Sequence, residues 1–281
     1  MRVWAPTLVL SLAPVVLCGQ ELTPEALVKP GTDSWPTYNG EYSGQRHSPL
    51  DQINGSNVAS LALAWMYRAS NYGAAGFGSV IKSTPIEVNG VLYFTMPDNV
   101  WAIDARNARE IWHYKYPPNE GLHIGQRGVA MLGSSIYTET PDCNLVSLNA
   151  QDGKERWRKQ IADVKLEYFC TMSPLVVGNH IITGVGGDSL DNPGYLESRD
   201  PETGEVQWHW NTEPNPGEPG SESWPDAEAR SHGGGMTWMT GTYDPALRLI
   251  YWGIGNPNPV HSGAGRKGDN LWTCSIVALR V

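Results

Sequence analysis

Phenylalanine, cysteine and charge are all in short supply in this chain, and each shortage narrows what it can be. Only 3 of its 281 residues are Phe, against 12 Trp and 12 Tyr, while Gly and Pro number 31 and 21. That balance disfavours a helix bundle and suits strands, tight turns and aromatic packing. The four cysteines fall at no metal-ligand spacing, and no C-x-x-C-H run occurs, which argues against a cysteine zinc site or a covalently attached haem. Charged residues make up 17%, and 29 acids outnumber 20 bases for a net charge of −9. No basic patch stands out, so a nucleic-acid partner is not expected. A single apolar run, Leu8 to Leu17, is too short to span a bilayer, so no transmembrane span is expected.

That run follows Arg2 and ends near small Gly19, so residues 1–19 read as a secretory signal peptide and the mature chain as periplasmic or secreted. Cys18 invites a lipid anchor, but bulky Leu17 precedes it where a small residue would be wanted. Cys143, Cys170 and Cys274 then remain, 27 and 104 residues apart. Three buried small side chains is the plainest reading. One disulfide with one free thiol is the other, and spacing does not give its connectivity.

What the chain does have is a returning phrase. It reads A-I-D-A-x-x-A-R-E-I-W at 102–112, S-L-N-A-x-D-G-K-E-R-W at 147–157 and S-R-D-P-E-T-G-E-V-Q-W at 198–208. Asp104, Asn149 and Asp200 each precede a Trp by eight residues, and the three Trp are 45 and 51 residues apart. Trp65 is a weaker partner, 47 residues before Trp112. Short β-rich runs precede each phrase, and Asp152-Gly153 and Thr203-Gly204 supply hairpin turns. Each unit therefore reads as a four-stranded antiparallel sheet of propeller-blade size, with the Trp as a wedge between neighbours. The expected fold is all-β, a β-propeller of Trp-motif blades: four such units and the start of a fifth at Tyr243 to Leu279. The bland alternative is a β-sandwich with recurrent hairpins, in which a Trp seldom repeats in register.

Longer phrases carry a resemblance. W-P-T-Y-N-G-E-Y-S-G-Q-R-H-S-P-L-D-Q-I-N at 35–54 and N-V-x-x-L-x-x-A-W at 57–65 open it. H-G-G-G-M-T-W-M-T-G-T-Y-D-P at 232–245, L-I-Y-W-G-I-G-N-P-N-P at 249–259 and G-D-N-L-W-T-C-S-I-V-A-L at 268–279 continue it. In these the chain resembles the quinoprotein alcohol dehydrogenases, which use pyrroloquinoline quinone (PQQ) and calcium. Residues 35–281 would be part of the PQQ-binding propeller, with 20–34 an N-terminal extension.

The resemblance implies a site. PQQ is a flat tricycle with three carboxylates and an ortho-quinone. Trp238 matches the apolar floor for that ring, after glycines that allow close approach. Arg127, in Q-R-G, is similar to the family's PQQ-pairing arginine, and Thr171, in T-M-S-P, to its hydroxyl donor. Gly186 and Gly187, in V-G-G-D, belong to the turn beside the cofactor. Asn256, in G-N-P, matches an amide ligand to calcium, and Asp188 falls where relatives usually carry Glu, with Asp191 a second candidate if the register slips. Each residue also has an ordinary reading: a core Trp, a surface Arg, a strand Thr, a turn Asp.

Three departures accompany the match. Gly121-Leu122 stand where many relatives carry adjacent cysteines, so a ring disulfide over the cofactor is not expected, and apolar Leu122 is a possible substitute cover. Lys82 stands where relatives often place an acid or amide; pairing with a PQQ carboxylate and pointing to solvent both stay open. The family's catalytic aspartate belongs to a segment beyond Val281, so no catalytic residue is assigned here. The expected function is the N-terminal part of a PQQ- and calcium-dependent dehydrogenase oxidising an alcohol, with electrons passed to a cytochrome c or other acceptor. The alternative is a non-catalytic periplasmic propeller that scaffolds protein partners.

Overall fold

A computed structural model describes residues 21–69, 80–187 and 191–281. The proposed signal peptide lies outside the described residues. Among the described residues fifteen strands form four antiparallel sheets, each in simple sequence order. The first sheet holds β1 (Ile86–Val88), β2 (Val91–Met96), β3 (Asn99–Asp104) and β4 (Glu110–Lys115). The second holds β5 (Ala130–Leu132), β6 (Ser135–Glu139), β7 (Asn144–Asn149) and β8 (Glu155–Gln160). The third holds β9 (Leu175–Val177), β10 (His180–Gly184), β11 (Tyr195–Arg199) and β12 (Val206–Asn211). The fourth has three strands, β13 (Thr242–Asp244), β14 (Leu249–Gly253) and β15 (Ile276–Arg280). Among the described residues no helix is long and apolar enough to cross a membrane.

Local chemistry explains the hairpins. Asn89 and Gly90 both take positive φ, 52° and 79°, between β1 and β2, the backbone that a two-residue turn with the right twist demands. The acid or amide of each phrase folds its turn by accepting backbone N–H groups two residues on. Asp104 Oδ1 accepts from Arg106 N (3.0 Å), Asn149 Oδ1 from Gln151 N (2.8 Å) and Asp200 Oδ1 from Glu202 N (2.9 Å). Each of the first three sheets then carries a bulge at the same place. The register shifts just after Ala102↔Trp112, Ser147↔Trp157 and Ser198↔Trp208, leaving one residue before each Trp unpaired. The strand does not end at Trp, as the sequence pattern suggests, but runs three residues past it.

The Trp rings join the sheets. Trp112 Nε1 donates to Ala150 O (2.9 Å) and Trp157 Nε1 to Pro201 O (3.2 Å), in each case the carbonyl one residue after the turn acid or amide of the next sheet. Trp65 does the same to Ala105 O (3.0 Å). It lies on no sheet strand among the described residues, and it docks on the first sheet all the same. Gly153 and Gly204 are where the rings lie: a Cβ there would come within 2.7 Å of Trp112 and Trp157. The main core runs through all four sheets, and a satellite of Met96, Trp101 and Ile103 is covered by Trp65, Tyr67 and Phe94.

The segment read as an extension is packed down. Leu22 pairs with Gly133, and the short helix α1 (Pro24–Val28) buries Leu27; just past the segment, Trp35 pairs with Glu87. Cysteine departs from the plainest reading. Cys143 and Cys170 form a disulfide, and Cys274 is exposed and free. The bridge ties the β6–β7 turn to the strip that leads into Thr171. Closing a loop of 27 residues removes unfolded-chain entropy worth about 3.5 kcal/mol. The double variant Cys143→Ala, Cys170→Ala is therefore expected to lose about 3 kcal/mol in urea unfolding, and reductant should destabilise the parent chain but leave the variant unchanged.

Candidate functional site

The site is built on strips that enter the sheets from the inner side. Thr84 N donates to Arg127 O and Arg127 N to Thr171 O, both at 2.9 Å, so the strips before β1, β5 and β9 are laced together. Ser173 Oγ reaches Val129 O (3.0 Å), and Thr240 Oγ1 reaches Ser173 O (2.7 Å), which carries the lacing on to the strip before β13. Thr237 N donates to Val185 O, and Gly255 N to Met236 O, both at 2.8 Å. Side chains that are 40 or more residues apart in sequence therefore meet.

Three of the expected residues come into direct contact. The Arg127 guanidinium lies 4.7 Å from the Trp238 ring centroid, over its face, and donates through Nη1 to Thr171 Oγ1 and to Thr171 O (3.3 Å). Trp238 is 37% exposed, unlike buried Trp101, Trp112, Trp224 and Trp252. Burial pulls Arg127 below the usual guanidinium range, while Tyr38 and Glu139 act to raise it.

The Gly233–Gly235 turn has a structural reason. All three residues take positive φ, and a Cβ on Gly233 or Gly234 would strike backbone of Asn192 or Asn256 at 2.1 or 2.5 Å. Asn256 joins the same turn, its carbonyl accepting from Gly235 N (2.7 Å), and its exposed Oδ1 accepts from the Cys274 thiol (3.3 Å). Gly186 pairs with Phe169, whose ring would stand 2.2 Å from an added Cβ, and Gly187 has φ of 148°. Asp188 lies outside the described residues. Asp191 binds His232 Nδ1 at 2.8 Å. Among the described residues no three His, Cys, Asp or Glu side chains group as a metal cluster.

The departures also take shape. A Cβ on Gly121 would sit 2.0 Å from the Pro141 backbone, so no side chain, cysteine included, fits there as the chain is packed. Leu122 is half exposed. The Lys82 stem lies across Gly125, 2.8 Å from where a Cβ would be.

Residues 35–281 match the family model for the glucose/ethanol/alcohol dehydrogenase β-propeller domain that binds PQQ. The chain belongs to the quinoprotein alcohol dehydrogenase family. It is 35% identical over 271 residues to quinohemoprotein alcohol dehydrogenase ADH IIB of Pseudomonas putida, covering 88% of this chain and 38% of that protein. It is 31% identical over 272 residues to the lanthanide-dependent methanol dehydrogenase of Methylacidiphilum fumariolicum (strain SolV), covering 88% and 44%. Among solved structures, that of quinohemoprotein alcohol dehydrogenase ADHIIG from Pseudomonas putida HK5 superposes with a TM-score of 0.84 at 32% identity, covering 93% of this chain and 41% of that one. The chain thus spans about two fifths of the length of these relatives.

Two buried acids were missed in the sequence. Glu139 ends β6, is 1% exposed and accepts from Met172 N (3.1 Å) through Oε2; its Oε1 has no hydrogen-bond partner among the described residues. Glu213 follows β12, is 6% exposed and has no hydrogen-bond partner within ordinary distance on either oxygen among the described residues. Glu139 sits in a β-rich run and Glu213 in the polar N-T-E-P-N-P turn after β12, both places where a single Glu reads as a solvent-facing residue, and only the unbroken burial of β6 gives Glu139 away.

Burial pushes the Glu213 carboxyl up to about 8 from an ordinary 4.5. The folded chain then holds this proton more tightly than the unfolded one. Its favourable contribution is full below pH 4.5 and is lost as pH rises toward 8, a swing on the order of 3–5 kcal/mol. Urea unfolding from pH 5 to pH 9 should show that decline, and Glu213→Gln should flatten it; parallel pH profiles would count against the assignment.

Proposed function

We propose that this chain carries the cofactor-binding part of an extracytoplasmic PQQ-dependent dehydrogenase that oxidises an alcohol. The observation that carries this is the Arg127–Thr171–Trp238 cluster: a half-exposed indole face with a planar cation lying on it. That face suits a flat aromatic ring, and a guanidinium beside it suits carboxylate or quinone oxygens. The donor set therefore fits PQQ. Trp238 would be the floor, Arg127 and Thr171 the polar flank, and Gly186 and Gly187 the turn that closes one side.

Calcium is proposed as the metal, with the side-chain oxygens of Asn256 and Asp188 as ligands. Oxygen donors suit a hard cation, and the shorter Asp in place of Glu leaves room for a different ionic radius. When bound, PQQ supplies the two-electron acceptor and the metal a Lewis acid. The chain's own residues bind and orient: Arg127 fixes an anionic edge, Trp238 fixes the ring plane, and Thr171 holds Arg127. No residue of this chain is assigned as the general base. Electrons would leave to a cytochrome c or another acceptor.

The test is a titration of the purified chain with PQQ, with and without calcium, followed by tryptophan fluorescence. Saturable quenching that tightens with calcium is expected. Arg127→Met should weaken PQQ binding about 10- to 100-fold, the loss of one charge-assisted hydrogen-bonded partner. A folded chain that binds no PQQ would sink this reading and return the chain to the scaffold alternative.

A further inference from the structure

Strand register shows where the fourth sheet is open. Ala102, Ser147 and Ser198 lie on the third strands of the first three sheets. Each pairs on one side with the third residue of the second strand, Tyr93, Tyr137 or Ile182, and on the other with the Trp of the fourth strand. In the fourth sheet Ala278 of β15 pairs with Tyr251, again the third residue of its second strand. The other side of β15 meets no strand among the described residues. Two positions before these residues, Val100, Leu145 and Leu196 are buried, whereas Ile276 is 80% exposed. β15 is thus a third strand with an unpaired edge and an uncovered apolar side chain.

A Trp-bearing segment that belongs to no sheet strand precedes the first sheet. Trp65 docks on Ala105 O as Trp112 and Trp157 dock on their acceptors. Together with Tyr67 it covers Met96, Trp101 and Ile103. Leu63 and Met66 stand in water, each 81% exposed. With Ile276 they are the three most exposed large apolar side chains among the described residues. One such side chain alone is ordinary. Here all three fall on the segment that has no sheet and on the strand that has no neighbour. An apolar cleft of about 430 Å³ also runs along β15, lined by Trp210, Trp272, Ile276 and Leu279.

We propose that two copies of this chain associate by laying residues 63–68 of each along β15 of the other, as the fourth strand of its fourth sheet. The two segments do not pair within one chain. The register follows from the first sheet, where Trp112, His113 and Tyr114 face Ala102, Trp101 and Val100. Trp65 of one copy then stands opposite Ala278 of the other, Met66 opposite Val277 and Tyr67 opposite Ile276. The edge of β15 gains main-chain partners, and the exposed apolar side chains leave water. Trp65 keeps Ala105 O, so neither copy has to refold. Each copy carries both halves of the contact, so a two-fold pairing fills both open places at once and stops at two. None of these residues is assigned above to PQQ or the metal, so the pairing stands apart from that reading.

Sedimentation velocity of the purified chain, carrying Cys274→Ser to remove the free thiol, should show a dimer at micromolar concentration. Met66→Glu and Ile276→Lys replace side chains that the single chain leaves in water. Each variant should therefore unfold in urea as the parent does, yet weaken the dimer about 10-fold or more by placing a charge in an apolar contact. Register is tested by cross-linking. Met66→Cys combined with Val277→Cys should give a disulfide-linked dimer under mild oxidant, while neither single variant does, nor Leu63→Cys combined with Ile276→Cys, which lies out of register. A chain that stays monomeric, oligomers that keep growing past two, or a dimer indifferent to both charge substitutions overturns the proposal.

Discussion

Everything in this chain hangs on one repeated contact, the indole N–H of a Trp meeting a turn carbonyl of the sheet that follows it. Trp112 meets Ala150, Trp157 meets Pro201 and Trp65 meets Ala105. A buried N–H must find an acceptor, and this one finds it on a neighbouring sheet rather than its own. The contact sets demands on the residues around it. A bulge just before Trp112 and Trp157 turns the strand so that the ring reaches across. An Asp or Asn folds the receiving turn so that the carbonyl after it is presented. A glycine where the ring lies keeps the two sheets close. Together these fix how successive sheets are inclined, and hence where their inner strips converge.

That is why so much of the fold was legible. The turn acid or amide, the hairpin residues and the Trp are local in sequence and recur at blade spacing, so each repetition reports the same geometry. What escaped reading depends on distant partners. The pairing of Cys143 with Cys170 joins a turn of one sheet to the strip before the next, which no spacing reveals. The docking of Leu22 and Leu27 onto sheets far along the chain is likewise invisible in a short polar stretch. Trp65 carries the Trp signal with no sheet strand of its own among the described residues, because the contact needs only the ring and its acceptor.

The candidate site was legible in a different way. Arg127, Thr171 and Trp238 stood out through long specific phrases, and the lacing of the inner strips brings them into contact. Gly121 marks a departure with a steric cause: the loop there rests on the Pro141–Asp142 backbone, beside the turn that the disulfide anchors, and leaves no space for a Cβ. Glu139 and Glu213 were illegible because an isolated Glu among alternating residues signals a wet face, and only three-dimensional burial reverses that meaning.

The placement of Arg127 completes the physical picture. A guanidinium pulled half out of water loses hydration, and its partners here are weak ones: a hydroxyl, a carbonyl and an aromatic face. No carboxylate lies within ion-pair distance of it among the described residues. Such an arrangement keeps the cation desolvated and oriented without neutralising it. A direct ion pair would hold Arg127 more firmly but would have to be broken before any anion could bind, at a cost of the size that makes buried pairs hard to separate. Stacking on Trp238 costs less to leave, since a cation–π contact at a half-exposed face is worth about 1 kcal/mol.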